Sequence, residues 1–355
     1  MMLLHTCAKG IVAMITIEGI AKIVGVSHST VSRALSGSSL VNETTRGRIL
    51  QVAEQYGYKP NRIAQSLARK STMTLGLVVP EVLNPYYPEL IDHFVRQAKE
   101  ASYTTVLSLS GVNQEDEEKC LEHLYGQRVD GIAIVAGVHG LLAREAALRL
   151  WRNGTPIVVL GWAEGIDELD AVYGEDAKGA AMMTRHLIGL GHRRIVMVAP
   201  DCDFVPRDRC YGFNAALAAA GLDTENALIS GVNTIDKLNR VLDKLLDQRE
   251  RPTALFAYQD ILAAHILQHL HERGVAMPQD LAVVGFDNLG LSSYVVPSLT
   301  TVDQRLQERT RGALRLLFRR IGQQSASNDP EHVVIRPEIV VRQSCGASNR
   351  ISPSY

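Results

Sequence analysis

Seven short, apolar, β-prone runs follow one another from Thr74 onward: Leu75–Val79, Thr104–Leu109, Gly131–Val135, Pro156–Leu160, Ile195–Ala199, Ala254–Ala257 and Leu281–Phe286. Segments with helical spacing come between them. A strand that is apolar on both faces must be covered on both faces, and helices joining such strands make right-handed crossovers between parallel neighbours. The pattern predicts an α/β body of doubly wound parallel sheets, and about 270 residues is enough for two such lobes. Ligands in this architecture sit beyond the carboxyl ends of the strands. The segments to inspect are therefore Pro80–Pro88, Tyr173–Asp176, Pro200–Arg209, Tyr258–Asp260 and Phe286–Asn288.

The first 70 residues have a different character. Residues 14–70 carry eight cations and three anions, a net of +5, whereas the whole 355-residue chain has a formal net charge of −1. A small basic head thus precedes an acidic body, the distribution expected of a nucleic-acid-binding module joined to another functional domain. Hydrophobic residues make up 46% and charged residues 21% of the chain, which excludes long disorder and a coiled-coil rod. The apolar start Met1-Met2-Leu3-Leu4 is broken by His5 and Lys9 before a signal-peptide core develops, so a cytoplasmic protein with no membrane partner is expected. Cys7, Cys120, Cys202, Cys210 and Cys345 are odd in number and contain no C-x-x-C, and they read as reduced thiols.

Within the head, Thr16 is a good N-cap for a helix whose Ile17, Ile20, Ala21 and Val24 fall at helical spacing, and Gly25 ends it. Ser27 caps a second helix from His28 to Leu35, in which Val31, Ala34 and Leu35 turn inward and the other face is polar. Two short helices around a tight turn describe a helix-turn-helix, whose second helix presents its first residues to base edges in the major groove of DNA. His28, Ser29 and Arg33 are the expected base readers, and Ser27, Thr30 and Ser32 are short hydroxyls suited to phosphates. A third helix is capped by Asn42, packs through Ile49, Val52, Ala53 and Tyr56, and stops at Gly57.

The run Thr16-Ile17, Ile20-Ala21, Val24 through Leu35, Thr45-Arg46, Tyr56-Gly57-Tyr58, Pro60-Asn61, Ala64 and Leu67 resembles the DNA-binding head and hinge of the LacI/GalR family of bacterial transcriptional repressors. The similarity extends through the body to about Val341. It implies a small all-α helix-turn-helix head plus an α/β body of two doubly wound parallel-sheet lobes of the periplasmic-binding-protein type. The expected domains are 14–60 (head), 61–70 (hinge helix) and 74–345 (effector binding and dimerisation). It also implies a homodimer on a pseudopalindromic double-stranded operator. In that arrangement Thr16, Tyr58, Asn61 and Ala64 belong to the DNA-contact set, and Leu67 wedges into the minor groove, where an apolar wedge unstacks one base step and bends the duplex. The resemblance begins at about Met14, so residues 1–13 are an extension or translation starts at Met14. Gly19 stands where the family usually has an acidic residue, which removes a reciprocal capping box.

The loops of the body hold a set suited to a polyol: Tyr86 and Tyr87 to stack on an apolar ring face, Arg209 and Arg207 as donors, and Asp176 and Asp260 as acceptors. By resemblance, Asn84-Pro85-Tyr86-Tyr87, Asp176, Arg209 and Asp260 fall on the family's effector-cleft motifs, which implies a small sugar or sugar-derivative effector. The chain reads Gln259-Asp260 where the family commonly has Asn-Asp. Asp287, within Val283 to Asn288, is expected to be structural.

No enzyme or cofactor signature is complete. Gly189-Leu190-Gly191 lacks the third glycine of a dinucleotide loop and follows a helix, and there is no Gly-x-Ser-x-Gly elbow, H-E-x-x-H or P-loop. His265, His269 and Glu272 share a helical face, which an amphipathic helix explains without a metal. Glu115-Asp116-Glu117-Glu118 enriches a first helical turn with anions. A non-enzymatic regulator with neither cofactor nor metal is expected. A solute-binding protein or sugar-modifying enzyme of similar body fold is the alternative, and the basic head weighs against the former.

Overall fold

The computed structural model describes residues 15–58, 71–137, 140–161, 166–201, 208–322 and 329–347. The chain divides into two compact units, 1–72 and 73–355. The hinge segment 61–70, with Asn61, Ala64 and Leu67, lies outside the described residues, as do Lys59, Cys7, Cys202 and Arg207.

In the first unit, α1 (Ile17–Val24), α2 (His28–Leu35) and α3 (Glu43–Gln55) pack around Ile20, Val24, Val31, Ala34, Ile49 and Ala53. Each helix starts at a short polar side chain that accepts an orphan backbone N–H. Thr16 Oγ1 takes Gly19 N at 3.2 Å, Ser27 Oγ takes Thr30 N at 3.2 Å, and Asn42 Oδ1 takes Thr45 N at 2.7 Å. Gly25 ends α1 with φ 75°, and its N–H returns to Ala21 O, a left-handed cap that glycine adopts without steric cost. Tyr56 was expected in this core but is the C-cap residue of α3 and is 52% exposed; Tyr58 packs against the core instead.

The second unit holds two six-stranded sheets with the same winding. The first lobe has the order β11-β5-β4-β3-β1-β2, made of β1 (Thr74–Val79), β2 (Thr104–Leu109), β3 (Gly131–Val135), β4 (Ile157–Leu160), β5 (Asp170–Gly174) and β11 (His332–Ile335), all parallel. The second has β12-β10-β9-β8-β6-β7, made of β6 (Ile195–Val198), β7 (Leu228–Ile229), β8 (Ala254–Ala257), β9 (Ala282–Asp287), β10 (Thr300–Asp303) and β12 (Glu338–Val340). Only β12 runs antiparallel to its neighbour. The central strands are buried on both faces, as their continuous apolar runs require. Strands β5, β7, β10, β11 and β12 did not stand out in the sequence.

Helices cover each sheet on both sides. In the first lobe α4 (Tyr86–Glu100) and α11 (Leu306–Gly322) close one core, and α5 (Gln114–Gly126) and α6 (Arg144–Arg152) close the other. In the second, α7 (Asp176–Gly189) and α8 (Asp208–Ala219) cover one face, and α9 (Ile235–Leu246) and α10 (Asp260–Glu272) the opposite one. The chain passes between the lobes at β5–α7, β10–α11 and β11–β12. Apart from these crossings, Glu89 Oε1 on α4 accepts Gly290 N of the second lobe at 2.8 Å. Both sheets reverse direction beside their first strand, β1/β3 and β6/β8, which opens a crevice at the carboxyl ends.

Candidate nucleic-acid interface and candidate ligand cleft

The polar face of α2 is open to solvent. Ser27, His28, Ser29, Ser32 and Arg33 are exposed and Thr30 is half-buried. Ser27 Oγ lies 2.8 Å from both Ser29 Oγ and Thr30 Oγ1, so three hydroxyls form one patch at the positive end of the helix dipole. Arg33 makes no ion pair among the described residues. Thr16 is exposed and caps α1, and Tyr58 is half-buried against the core. Arg46, by contrast, is committed to the fold, donating to Ser38 O and pairing with Glu43.

The crevice between the lobes of the body is an open cleft with about 730 Å³ of empty volume. Asn84, Tyr86 and Tyr87 reach it from the start of α4, where Asn84 Oδ1 accepts Tyr86 N at 3.1 Å. The two tyrosine rings meet edge to face, 5.3 Å between centroids. Both hydroxyls are held above the ordinary phenol range by burial, so they stay protonated donors.

Across the cleft, Arg209 on α8 is engaged through all three of its side-chain nitrogens. Nε donates to Asp176 Oδ2 at 2.9 Å, Nη1 to Tyr258 O at 2.8 Å, and Nη2 pairs with Asp287 Oδ1 at 3.2 Å. Its guanidinium carbon lies 3.8 Å from the Phe286 ring centroid. Asp176 opens α7, and its other oxygen accepts Arg309 Nη2 at 3.1 Å. Burial works against the Asp176 charge, but the two guanidiniums outweigh it and hold the carboxyl below its ordinary range. At the end of β9, burial pushes Asp287 up to about 6, against the pull of Arg209 and a hydrogen bond from Gln304. Burial, followed by repulsion from Asp176, also raises Asp208. The cleft therefore sets carboxylate acceptors beside phenol and guanidinium donors and an aromatic surface, the mixture that pairs with a polyhydroxylated ring.

The comparisons with known proteins agree with this architecture. The chain matches the profile of bacterial regulatory proteins of the lacI family over residues 16–61 and that of a periplasmic binding protein-like domain over residues 184–345. It is 31% identical over 333 residues to catabolite control protein A of Priestia megaterium, covering 93% of this chain and 99% of the relative. It is 30% identical over 346 residues to the HTH-type transcriptional repressor PurR of Aliivibrio fischeri, covering 95% and 100%. The chain belongs to the LacI family. Among solved structures, the complex of the transcriptional regulator CelR with cellobiose superposes with a TM-score of 0.67 at 29% identity, over 93% of this chain and 99% of that one. The lac repressor dimer bound to operator and an anti-inducer shares the fold, with a TM-score of 0.78 at 23% identity over 93% and 99%.

As a LacI-family member the protein is a DNA-binding transcriptional regulator, and the relatives it matches are regulators rather than enzymes. Of the residues singled out in the sequence, the structure brings Asn84, Tyr86, Tyr87, Asp176 and Arg209 together around the cleft. It does not bring Asp260 there. That side chain is fully buried, with Oδ2 accepting Leu289 N at 2.9 Å and Oδ1 accepting Thr301 Oγ1 at 2.5 Å, so it fastens α10 to the loop after β9 and to β10. The expectation that Asp287 is merely structural is also corrected, since it lines the cleft and pairs with Arg209. Its φ of 118° is unusual for a non-glycine residue and stores strain at the cleft wall.

Sequence reasoning also missed Asp208, Tyr258, Gln259, Gln304 and Arg309, all of which line the cleft. The strand-end rule had enclosed Asp208, Tyr258, Gln259 and Asp287 in its segments, but nothing local distinguished them from their neighbours. Among the described residues no group of three metal-ligating side chains is present; His269 is held by Asp243 at 2.8 Å, which also pairs with Arg273. Gly189-Leu190-Gly191 closes α7 as read. In the acidic run, Glu117 departs from a solvated first turn, being buried and accepting Ala143 N at 2.9 Å. No helix of the described residues is long and apolar enough to cross a membrane.

Proposed function

We propose that the protein is a cytoplasmic repressor that binds a pseudopalindromic operator as a homodimer and is controlled by a small, hydroxyl-rich effector of the sugar class held between the lobes. The observation that carries the effector half is the Asp176–Arg209–Asp287 network beside Tyr86 and Tyr87, in a cleft open to solvent. The cellobiose bound by CelR supports the same class. In this reading His28, Ser29 and Arg33 read bases, and Ser27, Thr30 and Ser32 meet phosphates. Thr16 and Tyr58 support the docking, and Asn61, Ala64 and Leu67 serve the hinge. Arg207 joins the effector set by sequence alone.

The surface of the first lobe supports pairing of two copies. Strand β2 is the edge of its sheet and exposes Leu107 and Leu109, with Val95 of α4 and Val112 also exposed. An apolar sheet edge left in water invites association, and a second copy is the partner that a twofold operator requires. The lac repressor dimer on its operator supports this assembly. An effector bound between the lobes shifts their arrangement only by its difference in affinity for the two states, and a shift alters the spacing of the paired heads.

The test is fluorescence-anisotropy binding of the full chain to DNA from upstream of its own gene, at fixed salt with excess nonspecific competitor, followed by a panel of sugars. Competitor-resistant binding that one sugar changes supports both halves. Binding erased by competitor reflects phosphate attraction alone and counts against the operator half.

A further inference from the structure

Arg309 lies near the start of α11 and is only 5% exposed. Its neighbours Leu306, Ala313 and Leu314 sit in the core of the first lobe, so the helix is anchored there. Nε donates to Gln304 O at 2.9 Å and Nη2 to Asp176 Oδ1 at 3.1 Å, while Nη1 takes no partner among the described residues. A guanidinium at this depth is costly unless its N–H groups are paired, and an apolar residue would fill the helix face without that cost. The fold nevertheless makes room for the guanidinium: Gly174, the last residue of β5, has no side chain where Arg309 passes. Asp176 begins the first helix of the second lobe, so the Arg309–Asp176 pair ties the anchored helix of one lobe to the chain crossing into the other.

We propose that Arg309 determines ligand specificity in this cleft, giving Nη1 to an acceptor oxygen of an electrically neutral polyol, and that it positions Asp176 across the lobe crossing. The ligand half rests on the effector reading above. Every side-chain nitrogen of Arg209 already has a partner in the fold, whereas Nη1 of Arg309 has none among the described residues. Neutrality follows from the charges already present. Among the described residues, Asp176, Asp208 and Asp287 face Arg209 and Arg309 in the same cleft, so these five leave no positive excess for a phosphate or carboxylate. Asp208 has no hydrogen-bond donor among the described residues and is placed to accept ligand hydroxyls.

The experiment is calorimetric titration of the full-length protein with D-glucose, D-galactose, D-ribose and cellobiose, and with glucuronate and a glucose phosphate ester as anionic counterparts. Arg309→Met and Arg309→Lys are titrated beside the unaltered protein. A neutral sugar should bind more tightly than its anionic counterpart. Its affinity should fall about tenfold or more in Arg309→Met, which leaves ligand acceptors unpaired, and return in part in Arg309→Lys. Equal affinity in Arg309→Met, or preference for the anionic ligands, overturns the specificity assignment. Failure of every neutral sugar to bind the unaltered protein overturns the ligand half along with the polyol reading. The positioning half is decided separately by amide hydrogen exchange without ligand. Faster exchange over residues 174–179 in Arg309→Met, with β3 and β8 unchanged, supports it, and unaltered exchange over those residues overturns it.

Discussion

A Cβ built on Gly174 would lie 1.8 Å from Nη2 of Arg309, so the guanidinium fills the space that any side chain at that position would need. The same Cβ would approach Asp176 Oδ1 at 3.1 Å. The bare backbone at the end of β5 is thus part of the charged network: it lets an arginine from one lobe reach an aspartate at the threshold of the other.

Gly174→Ala should break that fit. The arginine cannot give way without losing Asp176 or Gln304 O, so the variant should lose about 1–3 kcal/mol of stability, as overpacked sites do. Thermal unfolding beside Gly154→Ala provides the comparison: Gly154 has φ 86° but nothing within 4 Å, so its replacement reports backbone strain alone. A loss at Gly174 no larger than at Gly154 would show that the Arg309 passage is not tightly built.

Asp287 gives a pH dependence of known sign. Its folded pKa of about 6 stands above the ordinary carboxyl value because burial disfavours the charge, with Arg209 and Gln304 offsetting only part of this. A raised carboxyl contributes stability that is fully present below the unfolded pKa and is lost as pH rises through the folded one. Between about pH 4 and about pH 7 the unaltered protein should therefore lose on the order of 2 kcal/mol relative to Asp287→Asn, which cannot ionise. Asp176 has the opposite sign and is common to both proteins, and because Asp287 repels Asp176 and Asp260 the difference reports Asp287 together with its interaction with those two carboxylates. Parallel denaturant curves with a pH-independent gap would rule this out.

These two residues also show where sequence reading stops. The central strands were legible because Val, Ile and Leu on both faces leave no alternative to double cover. The edges were not. Strand β5 begins with Asp170, whose burial is compensated by Arg320 at 2.9 Å from the far end of α11 and by Glu331 N at 2.8 Å, and β7 is two residues long. Such strands exist through distant pairing rather than local pattern. In the cleft, the strand-end rule located the loop after β8 but not which side chain faces the crevice. Asp260 turns back toward Leu289 and Thr301, and Asp287 turns in. Arg309 was beyond reach because the run Arg309 to Arg320 contains five arginines, and only the folded crossing distinguishes the one that enters the cleft.

Asp260 should behave as a strut. Replacing it with Ala leaves Leu289 N and the Thr301 hydroxyl without their acceptor inside the fold, a loss of about 1–3 kcal/mol. Because its carboxyl lies outside the cleft wall, effector affinity of the folded variant should change far less than in Asp287→Ala. Melting temperature and calorimetric affinity, measured on the same preparations, separate the two effects. A collapse of affinity in Asp260→Ala without destabilisation would return that residue to the cleft.

Arg33 tests the head independently of the body. It is exposed on the polar face of α2, and no carboxylate of the described residues neutralises it, so its guanidinium is available to base edges or to phosphate. The two roles predict different patterns. A bidentate contact to one guanine is worth about 1–3 kcal/mol, and its loss relaxes the preference at a single base position. A phosphate contact instead lowers affinity uniformly across sequences and reduces the salt slope by about one unit. Arg33→Ala, assayed by anisotropy against an operator and its single-base variants at two salt concentrations, should flatten one position and leave the salt slope in place. Uniform weakening with a reduced slope would move Arg33 from base reader to backbone contact, leaving His28 and Ser29 as the readers on this helix.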